Sequence, residues 1–264
     1  MGSEVDNAAK TFTLPPKIYD DLINWERRLA KEGPFFRHLF EEYQVRRVLD
    51  AACGTGRHAQ LFHSWGLEVE GADVNAEMIE LARQQFGTPP GLRWVLWNFL
   101  EPYPTPGNFD AAVCLGNSLS LAKDGDEVCC ALANLLGAVR PGGIVLVHVL
   151  NYARVPIGKW VWQKVARCQL EGRQVLALKG IYRLGDHALM SFIFVDPVEP
   201  EVLGSYVDVL FCQVLKAVGE FLSTQPPAEA YLFLDYVPSS RLPLEPGTRG
   251  QFSASTDILI FIRK

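Results

Sequence analysis

The chain has 264 residues, 48% of them apolar, 11% aromatic and 21% charged, with 25 Lys+Arg against 30 Asp+Glu for a net charge of -5. This composition excludes a disordered, collagen-like or low-complexity protein, and the acidic balance argues against a phosphate backbone as the main partner. No apolar run approaches the ~20 residues that cross a bilayer and the polar start carries no signal pattern, so a cytoplasmic protein without a membrane partner is expected.

The length fits one large domain or one domain with an insertion. Ile18, Leu22, Trp25 and Leu29 recur at helical spacing, which predicts a helix over 17–31. Gly33-Pro34 closes it, and Pro34 opens a second short helix over 35–43. Short apolar, β-branched runs at 45–52, 67–73, 92–97, 110–115 and 144–150 then alternate with helical patterns at 58–65, 76–86 (capped by Asn75) and 126–139. That alternation means a parallel sheet covered on both faces.

Beyond 150 the pattern changes. Residues 167–195 read as hairpin-like strands with turns at Glu171-Gly172 and Gly185-Asp186, followed by a helix near 210–222. Strands at 229–236 and 256–263, joined by the Pro/Gly/Ser-rich loop 238–253, form an antiparallel pair. The expected organisation is a helical arm, 1–44, an α/β core, 45–152 and 209–264, and a β-rich insertion, 153–208, at the carboxyl edge of the sheet, where it can cover a ligand. The six cysteines form no Cys-x-x-Cys pair and have no His at zinc spacing, so reduced thiols and no metal site are expected.

The chemistry starts at Asp50-Ala51-Ala52-Cys53-Gly54-Thr55-Gly56, a strand, a tight glycine turn and a helix start. Ligands of open α/β sheets bind at the strand carboxyl ends, which this turn faces. A dinucleotide would rest its pyrophosphate on the turn and the helix N-terminus, where an acid at Asp50 repels it. S-adenosylmethionine has no phosphate and carries an ammonium and a sulfonium, which an acid favours. Asp73, 23 residues on, closes the next strand where an acid accepts from ribose hydroxyls. A structural βαβ turn with two surface acids and a nicotinamide oxidoreductase remain as alternatives at this point.

These residues resemble the first motif of class I S-adenosylmethionine-dependent methyltransferases. Cys114-Leu115-Gly116-Asn117-Ser118, Arg140-Pro141-Gly142-Gly143 and Asn151-Tyr152 are similar to glycine N-methyltransferase and its bacterial small-molecule relatives. The resemblance implies an α/β fold: a seven-stranded Rossmann-like methyltransferase sheet with an antiparallel last strand. It implies cofactor roles for Asp50, Ala52, Gly54 and Gly56 at the turn, Asp73 and Val74 at the ribose, Asn98 and Phe99 beside the adenine, and Leu115 and Gly116 near the sulfonium. Arg28, 22 residues before Asp50, stands at a spacing similar to that of the family arginine for the cofactor carboxylate.

The sequence also departs from the family. The Asn-Tyr pair is preceded there by an arginine that grips the substrate carboxylate, and here by Leu150, which argues against glycine unless Arg154 or an arginine of the insertion replaces it. Leu115-Gly116-Asn117-Ser118 is unlike the Asp/Asn-Pro-Pro-aromatic motif of adenine methyltransferases, which argues against nucleic acid. The expected activity is methylation of a small molecule, on nitrogen before oxygen or carbon, with S-adenosylhomocysteine as product. Asn117 orients the acceptor and Tyr152 walls it; His148 is the nearest base should a hydroxyl or acidic carbon be the acceptor. A non-catalytic cofactor-binding sensor or accessory protein is the rival reading. Oligomeric state is not readable from the sequence.

Overall fold

The computed structural model describes residues 15–170, 172–199, 201–244 and 255–264. Glu171 of one expected turn and residues 245–253 of the expected loop lie outside these ranges. The arm breaks elsewhere than the sequence predicts. Helix α1 (Pro16–Leu22) stops at Ile23, whose backbone is extended, and Asn24 caps α2 (Trp25–Glu42) by accepting the Arg27 N–H at 3.0 Å. Gly33-Pro34 lies inside α2. An interior proline costs about 3 kcal/mol, but the following turns bury Phe35, Phe36, Leu39 and Phe40, at roughly 1.5–3 kcal/mol per side chain. Burial wins, and the helix runs through.

The βα alternation follows as predicted: β1 (Arg47–Ala51), α3 (Arg57–Ser64), β2 (Glu68–Asp73), α4 (Ala76–Phe86), β3 (Leu92–Leu96), β4 (Phe109–Cys114), α5 (Gly125–Ala138) and β5 (Val139–Leu150). Asn75 caps α4, its side chain accepting from the Glu77 and Met78 N–H groups. Next come β6 (Trp160–Leu170), β7 (Arg173–Leu184), β8 (His187–Val195), β9 (Val202–Phe211), α6 (Val214–Thr224), β10 (Glu229–Leu234), β11 (Leu242–Pro243) and β12 (Asp257–Arg263). The helix expected from residue 210 therefore begins at Val214, and β9 is an unforeseen strand. Its Gly204 and its alternation of polar and apolar residues give it little apolar content of its own.

The main sheet has the order β3-β2-β1-β4-β5-β12-β10-β11. β1 to β5 are parallel, and β12 is antiparallel to both β5 and β10. It has seven long strands, as the family resemblance implied, plus the two-residue β11, whose Pro243 has no N–H to extend pairing and sits at the edge. One face packs on α5 and α6 through Leu132, Leu135, Val218 and Phe221; the other packs on α2 and α3 through Phe35, Phe36, Phe40 and Phe62. A second, antiparallel sheet, β6-β7-β8-β9, forms a third core with Ile18 and Leu22 of α1 and with Tyr152. Among the described residues no helix is long and apolar enough to cross a membrane.

Candidate active site

The chain leaves β1 through Ala52 and Gly54 with φ of 56° and 54°, and enters α3 at Gly56 with φ of 79°. The two glycines do different things. A Cβ on Gly56 would lie 2.5 Å from the Trp94 ring and 3.0 Å from Ala82, so this glycine lets α3 pack on the sheet. A Cβ on Gly54 would meet nothing within 4 Å, so this one presents bare backbone to open space at the strand ends. Asp73, at the end of β2, accepts from Gly54 N at 2.8 Å and from Asn75 N at 2.9 Å. Burial raises its pKa against these amide bonds. Two N–H groups leave a carboxylate with acceptor capacity to spare.

Asp50 is not beside them at the surface. It is 1% exposed, with Oδ2 unpartnered, and burial pushes its carboxyl up to about 8, against the Ala59 N–H and with the Asp73 charge adding to the rise. The side chain tucks beneath the turn against the first turn of α3, so any influence on a ligand passes through the turn as charge and not as contact.

At the carboxyl end of β4, Gly116 and Asn117 both have φ of 72°. Asn117 Oδ1 accepts from the Ser120 hydroxyl and from Leu150 N, each at 2.9 Å, while Nδ2 donates to the Tyr152 hydroxyl at 2.8 Å. The amide expected to orient an acceptor is thus spent on tying the ends of β4 and β5 to Tyr152. Burial pushes the Tyr152 hydroxyl up to about 12, against its hydrogen bonding with Ser120 and Asn117.

Arg28 reaches the same place from α2. Its Nη2 is 3.9 Å from where a Gly116 Cβ would stand, and its Nε donates to Glu32 Oε1 at 2.9 Å. Glu32 Oε2 is 2.7 Å from His58 Nε2. Burial alone would raise Glu32, but the His58 hydrogen bond and the Arg28 charge hold it down to about 2, while burial lowers His58, giving a neutral imidazole that donates to a carboxylate. Arg28 is therefore oriented by a buried relay.

A second relay runs beside it: His148 Nε2 lies 3.1 Å from Asp257 Oδ1, and Lys31 Nζ donates to Asp257 Oδ2 at 3.0 Å. Burial works against the Asp257 charge, but His148 and Lys31 hold the carboxyl well below its usual range. Neither relay was found from sequence spacing. The signal for the second was the antiparallel pairing of the last strand, which places Leu259 opposite His148 and Asp257 opposite Leu150. α1 is fastened over the glycine turn as well: Asp20, 6% exposed, accepts from Thr55 Oγ1 at 2.7 Å and from the Arg57 guanidinium. Burial opposes the charge on Asp20, and the Arg57 and Thr55 bonds outweigh it, lowering its pKa.

Arg28, Gly116 and Asn117 line a cavity of about 570 Å³ between the arm, the ends of β4 and β5, and the second sheet. His148 lines it too, and the remaining sequence-predicted residues lie apart from it. Asn98 Oδ1 accepts Leu100 N at 3.0 Å in a turn, Phe99 packs half-buried on the core, Leu115 is buried, and the Val74 side chain is 67% exposed.

This set fits S-adenosylmethionine: bare backbone at Gly54, spare acceptor capacity on Asp73, and at Gly116 a guanidinium whose Nη groups have no hydrogen-bond partner among the described residues. Residues 48–143 match the methyltransferase domain family. Glycine/sarcosine N-methyltransferase of Halorhodospira halochloris is 36% identical over 138 residues, 51% of each chain, and human glycine N-methyltransferase is 31% identical over 158 residues, 52% of this chain and 54% of that one. The chain spans about half the length of the curated relatives it matches. In fold it is similar to the sugar N-methyltransferase KedS8 from Streptoalloteichus (TM-score 0.69, 18% identity, covering 100% of this chain and 98% of that one). It is also similar to S-adenosylmethionine-bound CalS10, an amino pentose methyltransferase from Micromonospora echinaspora (TM-score 0.66, 20% identity, covering 95% and 97%). With that sheet order, that glycine turn and these matches, residues 48–143 of this chain form a class I S-adenosylmethionine-dependent methyltransferase domain.

Proposed function

We propose that the chain transfers a methyl group from S-adenosylmethionine to an amine nitrogen of a small molecule. The observation that carries this reading is the cavity: it adjoins Gly116 and Arg28 and extends to the second sheet, giving an acceptor a place beside the cofactor end that Arg28 holds. When bound, the cofactor supplies a methyl on a sulfonium, displaced in line by the acceptor's lone pair. The protein's contribution is placement, since holding a nucleophile about 3 Å from its target supplies much of such a rate.

In this reading Gly54 admits the methionine portion, Asp73 takes the ribose hydroxyls, and the Arg28 Nη groups take the carboxylate. Ala52 and Val74 flank those contacts, and Asn98, Phe99 and Leu115 border the adenine. Asp50, its buried carboxyl pushed up to about 8, adds a charge that favours the cationic ligand only as pH rises through that value. Asn117 and Tyr152 hold the floor of the acceptor site rigid. The names of the relatives, N-methyltransferases of small amines, support nitrogen as the acceptor atom and turnover over mere sensing. So does His148: the candidate base for a hydroxyl has Nε2 committed to Asp257 and Nδ1 sealed from water.

Glycine fits poorly. The position before Asn151 is Leu150, Arg154 is exposed outside the cavity, and Arg183 spends its guanidinium on the Tyr152 and Gly185 carbonyls. The test is methyl transfer from labelled S-adenosylmethionine to a panel of amines and to a metabolite extract. N-methylated product is expected; O- or C-methylated product, or tight cofactor binding without transfer, overturns the reading.

A further inference from the structure

The second sheet places two lysines face to face. β6 and β7 pair Lys164 directly opposite Lys179, and both line the cavity. Like charges directly opposite one another destabilise a sheet, so this pairing calls for a compensating anion. Lys164 Nζ donates to the Leu22 carbonyl. Lys179 Nζ has no hydrogen bond or ion pair among the described residues and lies 5.4 Å over the Phe192 ring. The one acid that the second sheet contributes to the cavity among the described residues, Asp208, takes the Tyr206 hydroxyl at 2.6 Å. Across the cavity Arg28 is matched with Glu32 and Lys31 with Asp257, while Arg27 stands exposed at the rim. What remains is an uncommitted amine on a cationic wall.

We propose that the acceptor carries an anionic oxygen group, a carboxylate or a phosphate, that pairs with Lys179. This rests on the methyl-transfer reading above and moves the anchor for the acceptor's charge from the arginine site after β5, here Leu150, to the insertion. An ammonium half-enclosed among Met190, Phe192 and Leu210 costs desolvation that a methionine there would avoid. Burial, with Arg28 and Lys164 nearby, pushes Lys179 down to about 8, against Asp208. A bound anion removes that strain on the charge.

The titratable groups lining the cavity with Lys179 are Lys164 from β6, Asp208 from β9 with its partner Tyr206, Arg27, Arg28, Lys31 and Glu32 from α2, Tyr19 from α1, His148 from β5 and Asp257 from β12. Burial raises both tyrosines, and Glu32, with Tyr236 and Tyr19, keeps Arg28 charged against its burial. Burial pushes Lys179 down to about 8, and because Asp50 is also at about 8, the pH dependence is read as the difference between wild type and Lys179→Met.

The experiment titrates the protein, with and without S-adenosylhomocysteine, with phenylacetate, its neutral analogue phenylacetamide, and phenyl phosphate. A charge-assisted hydrogen bond implies that the anions bind about tenfold or more tighter than the amide. The preference should vanish in Lys179→Met, persist in Lys179→Arg, and decline in the wild type as pH rises through about 8. The tighter of the two anions identifies the group. Equal binding of acid and amide, binding of neither, or a preference that survives Lys179→Met overturns the proposal. So does a tenfold loss of S-adenosylhomocysteine affinity in Lys179→Met, which would put the lysine on the cofactor's carboxylate. Failure of the wild type to bind S-adenosylhomocysteine strikes the methyltransferase reading instead, and the arm without it still decides Lys179.

Discussion

Gly54 and Gly56 stand two residues apart in one turn, yet alanine at each should fail differently. Both have positive φ, so either alanine pays about 1 kcal/mol for a left-handed backbone. At Gly54 nothing else is met within 4 Å, so at about 2–4 °C per kcal/mol for a chain of this size Gly54→Ala should lower Tm by only a few degrees. The new methyl occupies the open side of the turn, and S-adenosylhomocysteine affinity should fall by tenfold or more, about 1.4 kcal/mol. Gly56→Ala drives a Cβ to within 2.5 Å of Trp94, an overlap inside the core for which overpacking costs of about 1–3 kcal/mol add to the backbone cost. Its Tm should fall by roughly 5–15 °C, and adding Trp94→Leu should restore part of the loss. Differential scanning calorimetry and calorimetric titration read both effects. A Gly56→Ala protein as stable as the wild type, or a Gly54→Ala protein that binds undiminished, would refute this division of roles.

Asp73→Asn leaves one oxygen for two N–H groups and turns an NH₂ toward one of them, so S-adenosylhomocysteine affinity should fall at least tenfold in calorimetry, about 1.4 kcal/mol. Glu32 has a folded pKa of about 2 against an ordinary 4.5, so the stability it contributes is present above pH 4.5 and is lost as pH falls toward 2. In magnitude it is roughly 3 kcal/mol. The stability gap between wild type and Glu32→Gln in urea unfolding should close across that window, and a gap independent of pH would contradict the assignment. Asp20→Ala unfastens α1 from Thr55 and Arg57; S-adenosylhomocysteine dissociation measured by stopped flow should speed up severalfold with Tm changed much less than in Gly56→Ala.

What the sequence disclosed was local in the chain. The glycine turn and Asp73 are legible because a strand, a tight turn and a helix must follow one another within a few residues, and because the second strand's end falls at a fixed remove. Leu115-Gly116-Asn117 located the end of β4 for the same reason, although the role foreseen for the Asn117 amide gave way to Ser120, Leu150 and Tyr152, which its position alone does not reveal. The relay behind Arg28 is closed by α2 packing on α3, and the one at His148 and the lysine pair on the second sheet are made by register: β12 against β5, and β6 against β7 with a shift between Trp162 and Lys164. A shift of one residue would put different side chains opposite, and nothing local sets it. Pro34 misled for the converse reason, since a local rule was overridden by aromatic burial against the rest of the fold in the turns that follow it.

The claim on which the rest depends is that the turn at Gly54, with Asp50 beneath it and Asp73 beside it, accepts a cationic nucleoside without a diphosphate. Titration calorimetry of the wild-type protein with S-adenosylmethionine, S-adenosylhomocysteine and NAD⁺ tests it directly. The account predicts saturable one-to-one binding of the first two, weakened by Asp73→Asn, and none of NAD⁺; saturable NAD⁺ binding that Gly54→Ala abolishes would contradict it.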